Sequence, residues 1–367
     1  MIIPDFTNKD IQFQEAVELL KQLIAEPSIS RSENKTADIL EFYLLKSGCK
    51  VNRQGNNVWT RSGESYKRPL LLLNSHHDTV KPAAGYSKDP FKPVIEDGKL
   101  YGLGSNDAGA SLVCLLMTYL GLYKKDLNFD LVFLASAEEE ISGHAGVASV
   151  LPLLGNIIGG IVGEPTLMKM AVAEKGLMVL DGIAEGVSGH AARSEGINAI
   201  YQAIEDINKL RIFEPEQVSE FLGPIHVNTT MINAGTQHNV VPDQCTFVVD
   251  VRTTDAYSNE ETLTLLQSHV QSQLKARSTR LQPSFLPEGH IIRKAADKLG
   301  LEQYGSPTLS DQALMSFPTC KMGPGDSARS HTPDEFIYLD DIRAGLAGYH
   351  DLLLTINELI EHEKALG

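Results

Sequence analysis

Five short stretches of this sequence place histidine or carboxylate just after an apolar run or inside a glycine-rich loop. They are Asn74-Ser75-His76-His77-Asp78, Gly102-Leu103-Gly104-Ser105-Asn106-Asp107, Glu138-Glu139-Glu140, Gly163-Glu164-Pro165 and, near the end, Ser330-His331. Imidazole nitrogen and carboxylate oxygen together are a donor set for a divalent metal ion. Singly, each stretch has an ordinary reading. His76 and Asp78 could be a surface pair, the three glutamates a solvated run, Asp107 a helix cap, Glu164 a turn residue and His331 structural. Jointly, the ordinary readings require five independent coincidences, and three adjacent acids continuing a buried strand repel one another unless a cation compensates them. A metal site is the expectation. The glycines fit neither G-x-G-x-x-G nor the phosphate-binding G-x-x-x-x-G-K-[ST], and no G-x-S-x-G nucleophile turn occurs.

The elements that must position these residues are legible as periodicities. Residues 70–73, 131–135 and 157–162 are short, nearly continuous apolar runs, as expected of strands covered on both faces of a parallel or mixed sheet. An apolar helix over 111–122 lies between the first two, and helical stripes cover 11–26 and 36–47. This is a βαβ rhythm, and in open α/β sheets ligands bind beyond the carboxyl ends of the strands, where the acids and histidines stand. From about residue 175 the pattern changes. Strands are expected at 176–187, 226–234, 244–252 and 279–285, with helices at 196–210 and from Ser258 to about Ala276, the latter opened by a Ser258/Glu261 capping box. That βαββαβ order predicts a ferredoxin-like α+β unit. The economical architecture is an α/β domain of residues 1–174 and 286–367, interrupted by an inserted domain over 175–285 and closed by a helix near 340–359.

Size and charge bound the rest. A chain of 367 residues exceeds what one core usually supports, in keeping with two domains. A formal net charge of −15 argues against nucleic acid or an anionic membrane as partner. No secretory signal and no apolar run of membrane-spanning length is visible. Cys49, Cys114, Cys245 and Cys320 lack any C-x-x-C spacing, so reduced cysteines and a cytoplasmic location are expected.

The ordered set His76-x-Asp78, Gly102-x-Gly104-x-x-Asp107, Glu139-Glu140, Gly163-Glu164-Pro165 and His331 resembles the acetylornithine deacetylase and succinyl-diaminopimelate desuccinylase family of two-zinc amidohydrolases. Within 175–285, Lys175-Gly176, Gly189-His190-Ala191, Gly196-x-Asn198-Ala199, Asn239-Val240-Val241-Pro242-Asp243 and Asp250-Val251-Arg252 extend the resemblance over nearly the whole chain. It implies two zinc ions per subunit, with cobalt or manganese as substitutes. Asp107 would bridge them, His76 and Glu164 completing one and Glu140 and His331 the other. Asp78 would orient His76 through its ring N–H, and Glu139 would be the general base. His190 would reach a partner subunit's active site in a homodimer formed through the inserted lid, and Asn239 and Arg252 would contact substrate, Arg252 as a carboxylate clamp. The implied reaction is hydrolysis of the amide of an N-acyl amino acid, first an N-acylornithine or N-acylcitrulline as in arginine biosynthesis. Desuccinylation and di- or tripeptide cleavage would use the same centre, and a non-catalytic binding protein is the rival from another class. The chain departs from the family pattern at Ala108-Gly109-Ala110, His77 and Glu138, none of which removes a ligand.

Overall fold

The computed structural model describes residues 4–63, 68–193 and 195–366. They form two compact units: one runs to Val172 and resumes with Leu286–Tyr304 and from Ser310 onward, and the other comprises Ala173–Phe285 and Gly305–Leu309. Among the described residues no helix is long and apolar enough to cross a membrane.

The first unit is built on a mixed sheet whose strands run, side by side, Val51–Gln54, Asn57–Arg61, Asp130–Ser136, Leu70–His76, Ile157–Val162, Thr319–Lys321 and Met170–Glu174. The four strands from Asp130–Ser136 to Thr319–Lys321 are mutually parallel. Every residue of Leu70–His76 and of Asp130–Ser136 is buried, so the continuous apolar runs have the cause assigned to them. One cover is the helix Ala110–Leu122, buried along its whole length and packed between Lys9–Ala25 and Leu339–Leu366. Asn8 caps Lys9–Ala25 by accepting from the N–H groups of Asp10 and Ile11. Because the central strands are parallel and in register, with His76 opposite Ser136, their carboxyl ends lie along one edge. Residues 76–78, 138–140 and 163–164 leave from that edge, and a loop after Lys321 leads to His331.

The second unit has four antiparallel strands in the order His226–Ala234, Gln244–Thr253, Gly176–Glu185, Gln273–Ala276. With the helices Ala199–Arg211 and Asn259–His269 this is the βαββαβ topology of a ferredoxin-like unit. Its core joins Met178, Leu180, Phe247, Val249 and Val251 of the sheet to Ala199, Ala203, Leu210 and Leu266 of the helices. The strand expected over 176–187 ends at Glu185 and the helix expected over 196–210 starts at Ala199; two later boundaries differ further. The capping box at Ser258 forms as read, but the helix stops at His269, and the fourth strand is Gln273–Ala276, not 279–285. The cause is Asp206, whose buried carboxylate takes the backbone N–H groups of Gln271 (3.0 Å) and Ser272 (2.7 Å) and the Ser272 hydroxyl (2.7 Å). Those amides are thereby diverted from helical bonding. Segment 305–309 also belongs to this unit; Gly305 packs its backbone against the Phe221 carbonyl with no room for a Cβ.

Candidate metal centre

His76 ends its strand and is 1% exposed. Its Nε2 faces Asp107 Oδ1 at 3.4 Å, Glu164 Oε1 at 3.8 Å and Glu139 Oε2 at 3.9 Å. Its Nδ1 lies 2.8 Å from the backbone carbonyl of Asp78 and 3.6 Å from that residue's carboxylate. The nearer partner of the ring is therefore a main-chain oxygen, which amends the expected carboxylate–histidine contact. The Asp78 carboxylate accepts the N–H groups of Glu139 (3.0 Å) and Glu140 (3.2 Å) and the hydroxyl of Ser30 (2.7 Å). Asp78 thus fixes the backbone that carries the acid pair.

That pair leaves the strand Asp130–Ser136 through Glu138, whose φ of 54° turns the chain into a single 3₁₀ turn, Glu139–Ile141. Glu138 points elsewhere, accepting from the Ala145 N–H at 3.3 Å. Glu140 meets His331, whose Nε2 is 3.0 Å from Oε2 and 3.3 Å from Oε1. The same nitrogen is 3.6 Å from Asp107 Oδ2. Asp107 thus presents one oxygen to each histidine. Its loop closes tightly: Gly104 sits at φ 75°, where a Cβ would press on the Thr79 methyl.

Burial and like charge act together here. Desolvation and the neighbouring Asp107 push the Glu164 carboxyl up to about 8, against the pull of His76. Burial likewise raises Glu139 well above the usual carboxylate range, with Glu164, Asp311 and Glu140 adding to it. Burial opposes charge on His76, but Glu139, Asp107, Asp78 and Glu164 outweigh it and hold the ring's pKa high. His76 Nε2 and Glu164 Oε1 are buried without a hydrogen-bond partner, an arrangement that is costly unless a ligand completes it. A divalent cation satisfies both atoms and relieves the crowding of acids. Donor atoms of His76, Glu139 and Glu164, and of His76, Asp107 and Glu140, lie within 4.8 Å of one another. The donor set fits a metal.

All five expected ligands and Glu139 are brought together. His190, Asn239 and Arg252 belong to the second unit. His190 is exposed, pairs with Val240 across Gly189–His190, and its Nδ1 accepts the Ala192 N–H at 3.2 Å. The Asn239 carbonyl accepts the Ala191 N–H at 3.1 Å, so these two segments are neighbours. Arg252 already engages a carboxylate, with Nε and an Nη of its guanidinium 2.8 and 3.1 Å from the two oxygens of Asp250.

Three residues that sequence reasoning passed over support the centre. Ser30 holds Asp78, as above. Asp311 is buried beneath the strand ends, accepts from Asn74 (2.9 Å) and Ser136 (2.6 Å), and is pushed up to about 6 by that burial. Glu335 receives backbone N–H groups of the Asp107 loop. The unusual His77 also acquires a reason. Burial pushes its ring down to about 4, so it is neutral: Nε2–H donates to the Asn56 carbonyl and Nδ1 accepts the Thr36 hydroxyl, both at 2.8 Å. We expect His77→Leu to strand the Asn56 carbonyl and destabilise the fold by about 1–3 kcal/mol, measured by denaturant unfolding; an unchanged midpoint would refute the pairing.

Known proteins resemble this chain in sequence and in fold. The chain is 27% identical to the succinyl-diaminopimelate desuccinylase of Xanthomonas campestris pv. campestris over 371 residues, covering 92% of this chain and 98% of that one. It is 29% identical to the acetylornithine deacetylase of Proteus mirabilis over 366 residues, covering 89% and 93%. In fold it is similar to the aminopeptidase PepT of Bacillus cereus (TM-score 0.72, 18% identity, covering 94% and 98% of the two chains). It is also similar to a dinuclear metal-binding peptidase of the M20 family from Bacillus subtilis (TM-score 0.71, 17% identity, covering 95% and 99%). With residues 72–355 matching the family's sequence model, the chain belongs to peptidase family M20/M25/M40 and is a metal-dependent amide hydrolase.

Proposed function

We propose that this enzyme hydrolyses the amide bond of an N-acyl amino acid at a centre of two divalent ions, zinc being the first candidate. One observation carries the two-ion reading: Asp107 turns Oδ1 toward His76 and Oδ2 toward His331. Asp107, His76 and Glu164 would hold one ion, and Asp107, Glu140 and His331 the other. Bound there, the ions supply Lewis acidity to the substrate carbonyl and to a water. Glu139, its backbone held by Asp78 and its carboxylate beside His76 and Glu164, takes a proton from the attacking water. It then delivers that proton to the leaving nitrogen as the C–N bond breaks.

The leading substrate class is an N-acylornithine or N-acylcitrulline, as in arginine biosynthesis. The relatives named as an acetylornithine deacetylase and a desuccinylase support the acyl amino acid class. The test is a panel of N-acetyl and N-succinyl ornithine, citrulline and diaminopimelate with simple dipeptides, with metal quantified in the same preparation. A single preferred N-acylornithine or N-acylcitrulline whose hydrolysis stops on chelation and returns with zinc is expected. Preference for succinyl-diaminopimelate or a peptide would overturn the substrate, and absence of bound metal would favour a binding protein. Four free, buried cysteines suit a reducing cytoplasm.

The second unit is the proposed lid and dimerisation surface, with His190 as the residue that reaches a partner subunit. Among the described residues the strand His226–Ala234 is paired along one edge alone and exposes Met231 and Ile232. An unpaired strand edge of this kind is a template for a second copy. Light scattering should show a dimer that Met231→Lys/Ile232→Lys converts to monomer; a monomeric wild-type protein would overturn the assignment. His190→Ala should then cripple turnover with metal content intact, and wild-type turnover in that variant would refute its role. Asn239 is the proposed polar contact to substrate. Arg252 remains the proposed carboxylate contact, now as half of a pair with Asp250.

A further inference from the structure

Of the five proposed ligands, His76 ends a strand, Glu164 stands two residues after one, and Glu140 lies in the Glu139–Ile141 turn whose amides Asp78 holds. Asp107 and His331 come from loops. His331 sits at φ 59° in a turn, with its side chain about half exposed. Two side chains tie its segment to the one that carries Asp107. Glu335 is 1% exposed, and its carboxylate takes three main-chain amides of the Asp107 loop: Gly104 at 3.0 Å on Oε2, and Asn106 at 2.8 Å and Asp107 at 2.9 Å on Oε1. Its own carbonyl accepts the Gly102 N–H at 3.0 Å, which continues the antiparallel pairing of Phe336 with Tyr101.

From the opposite side, Asn106 binds the segment before His331. Its Oδ1 accepts the Asp326 N–H at 3.0 Å, and its Nδ2 donates to the Asp326 carbonyl at 3.1 Å and to Ser330 Oγ at 3.4 Å. Gly325 approaches the Asn106 amide so closely that a Cβ there would meet it at 2.5 Å. The loop carrying Asp107 is therefore clasped on both flanks of His331, by Asn106 through residues 326–330 and by Glu335 four residues beyond it. A buried carboxyl group that accepts three amides from one loop ties that loop at three points.

We propose that Glu335, seconded by Asn106, is a positioning residue for the metal centre: the clasp sets the separation of Asp107 from His331 and so the affinity of the position those two share. The proposal rests on the reading of Asp107 and His331 as ligands. Groups that orient ligands typically change metal affinity by about 10- to 100-fold when removed.

The experiment is titration of the metal-free proteins with Zn²⁺ against a chromophoric chelator, for wild type, Glu335→Ala, His331→Ala and the double variant. Glu335→Ala is expected to weaken one of two positions by about 10- to 100-fold, the same position that His331→Ala abolishes, with little further loss in the double variant. Glu335→Gln keeps Oε1 for Asn106 and Asp107 and should recover most of the loss. This variant also carries the test if Glu335→Ala does not fold, since Oε2 no longer accepts from Gly104 and a loss of a few-fold remains. Wild-type titration in both Glu335 variants would overturn the proposal, as would equal weakening of both positions. If His331→Ala leaves the zinc isotherm unchanged, the ligand reading itself has failed, an outcome separate from the other two.

Discussion

Glu139→Gln is expected to retain both metals and to lose kcat by about 10²- to 10⁴-fold, the range typical of removing a general base. Glutamine has the size of glutamate and leaves the backbone bond from the Glu139 N–H to Asp78 untouched, so the geometry of the turn survives. What disappears is the capacity to take a proton from water and return it to an amine. The geometry makes this variant the sharpest test of role, because Glu139 stands in a metal-capable set with His76 and Glu164. If metal stoichiometry falls with activity, the base and ligand assignments of Glu139 and its neighbours must be exchanged. If both metal and kcat are kept, Glu139 is neither.

Asp107→Ala should have the larger effect. Asp107 presents one carboxylate oxygen to each histidine, so its removal takes an oxygen from each metal position at once. Electrostatic stabilisation from a single preorganised group is worth about 10²–10³ in rate, so losing two such contributions lowers turnover by at least about 10⁴-fold. Excess zinc should restore chelated wild type and leave Asp107→Ala inactive. The melting curve distinguishes this from unfolding. The loop amides remain held by Glu335, and one member of a crowded acid cluster is gone, so metal-free Asp107→Ala should melt no lower than metal-free wild type. A large drop would mean that Asp107 serves the scaffold. Partial rescue by zinc would place the bridging role elsewhere.

The expected metal set was legible because its chemistry restricts residue type. A site without cysteine needs histidine and carboxylate, and strands covered on both faces announce themselves as unbroken apolar runs, so the positions just beyond residues 73, 135 and 162 could be inspected directly. The alternation and turn chemistry of 176–253 likewise predicted three of the four strands of the second unit. Arg252 was a residue whose partner could have been found by periodicity alone. Asp250 lies two positions away in the same strand, hence on the same face.

Other features were decided only by the tertiary structure. The helix from Ser258 started where its capping box required, but its end depended on Asp206, more than 60 positions away in the chain. Asp78 proved to hold the backbone of Glu139 and Glu140, while its own carbonyl is the nearer partner of His76. Glu335 and Asn106 connect segments more than 200 residues apart. The physical reason is common to all three. A ligand must be one of a few residue types, whereas a main-chain amide is available at almost every position. An acid that binds such amides therefore carries no signature in sequence, and its role exists once folding has brought a particular loop against it. By itself the sequence determined which atoms were available to hold metal and roughly which strand ends would present them. The tertiary structure decided which acids face the histidines, and which were taken up in holding the backbone that carries them.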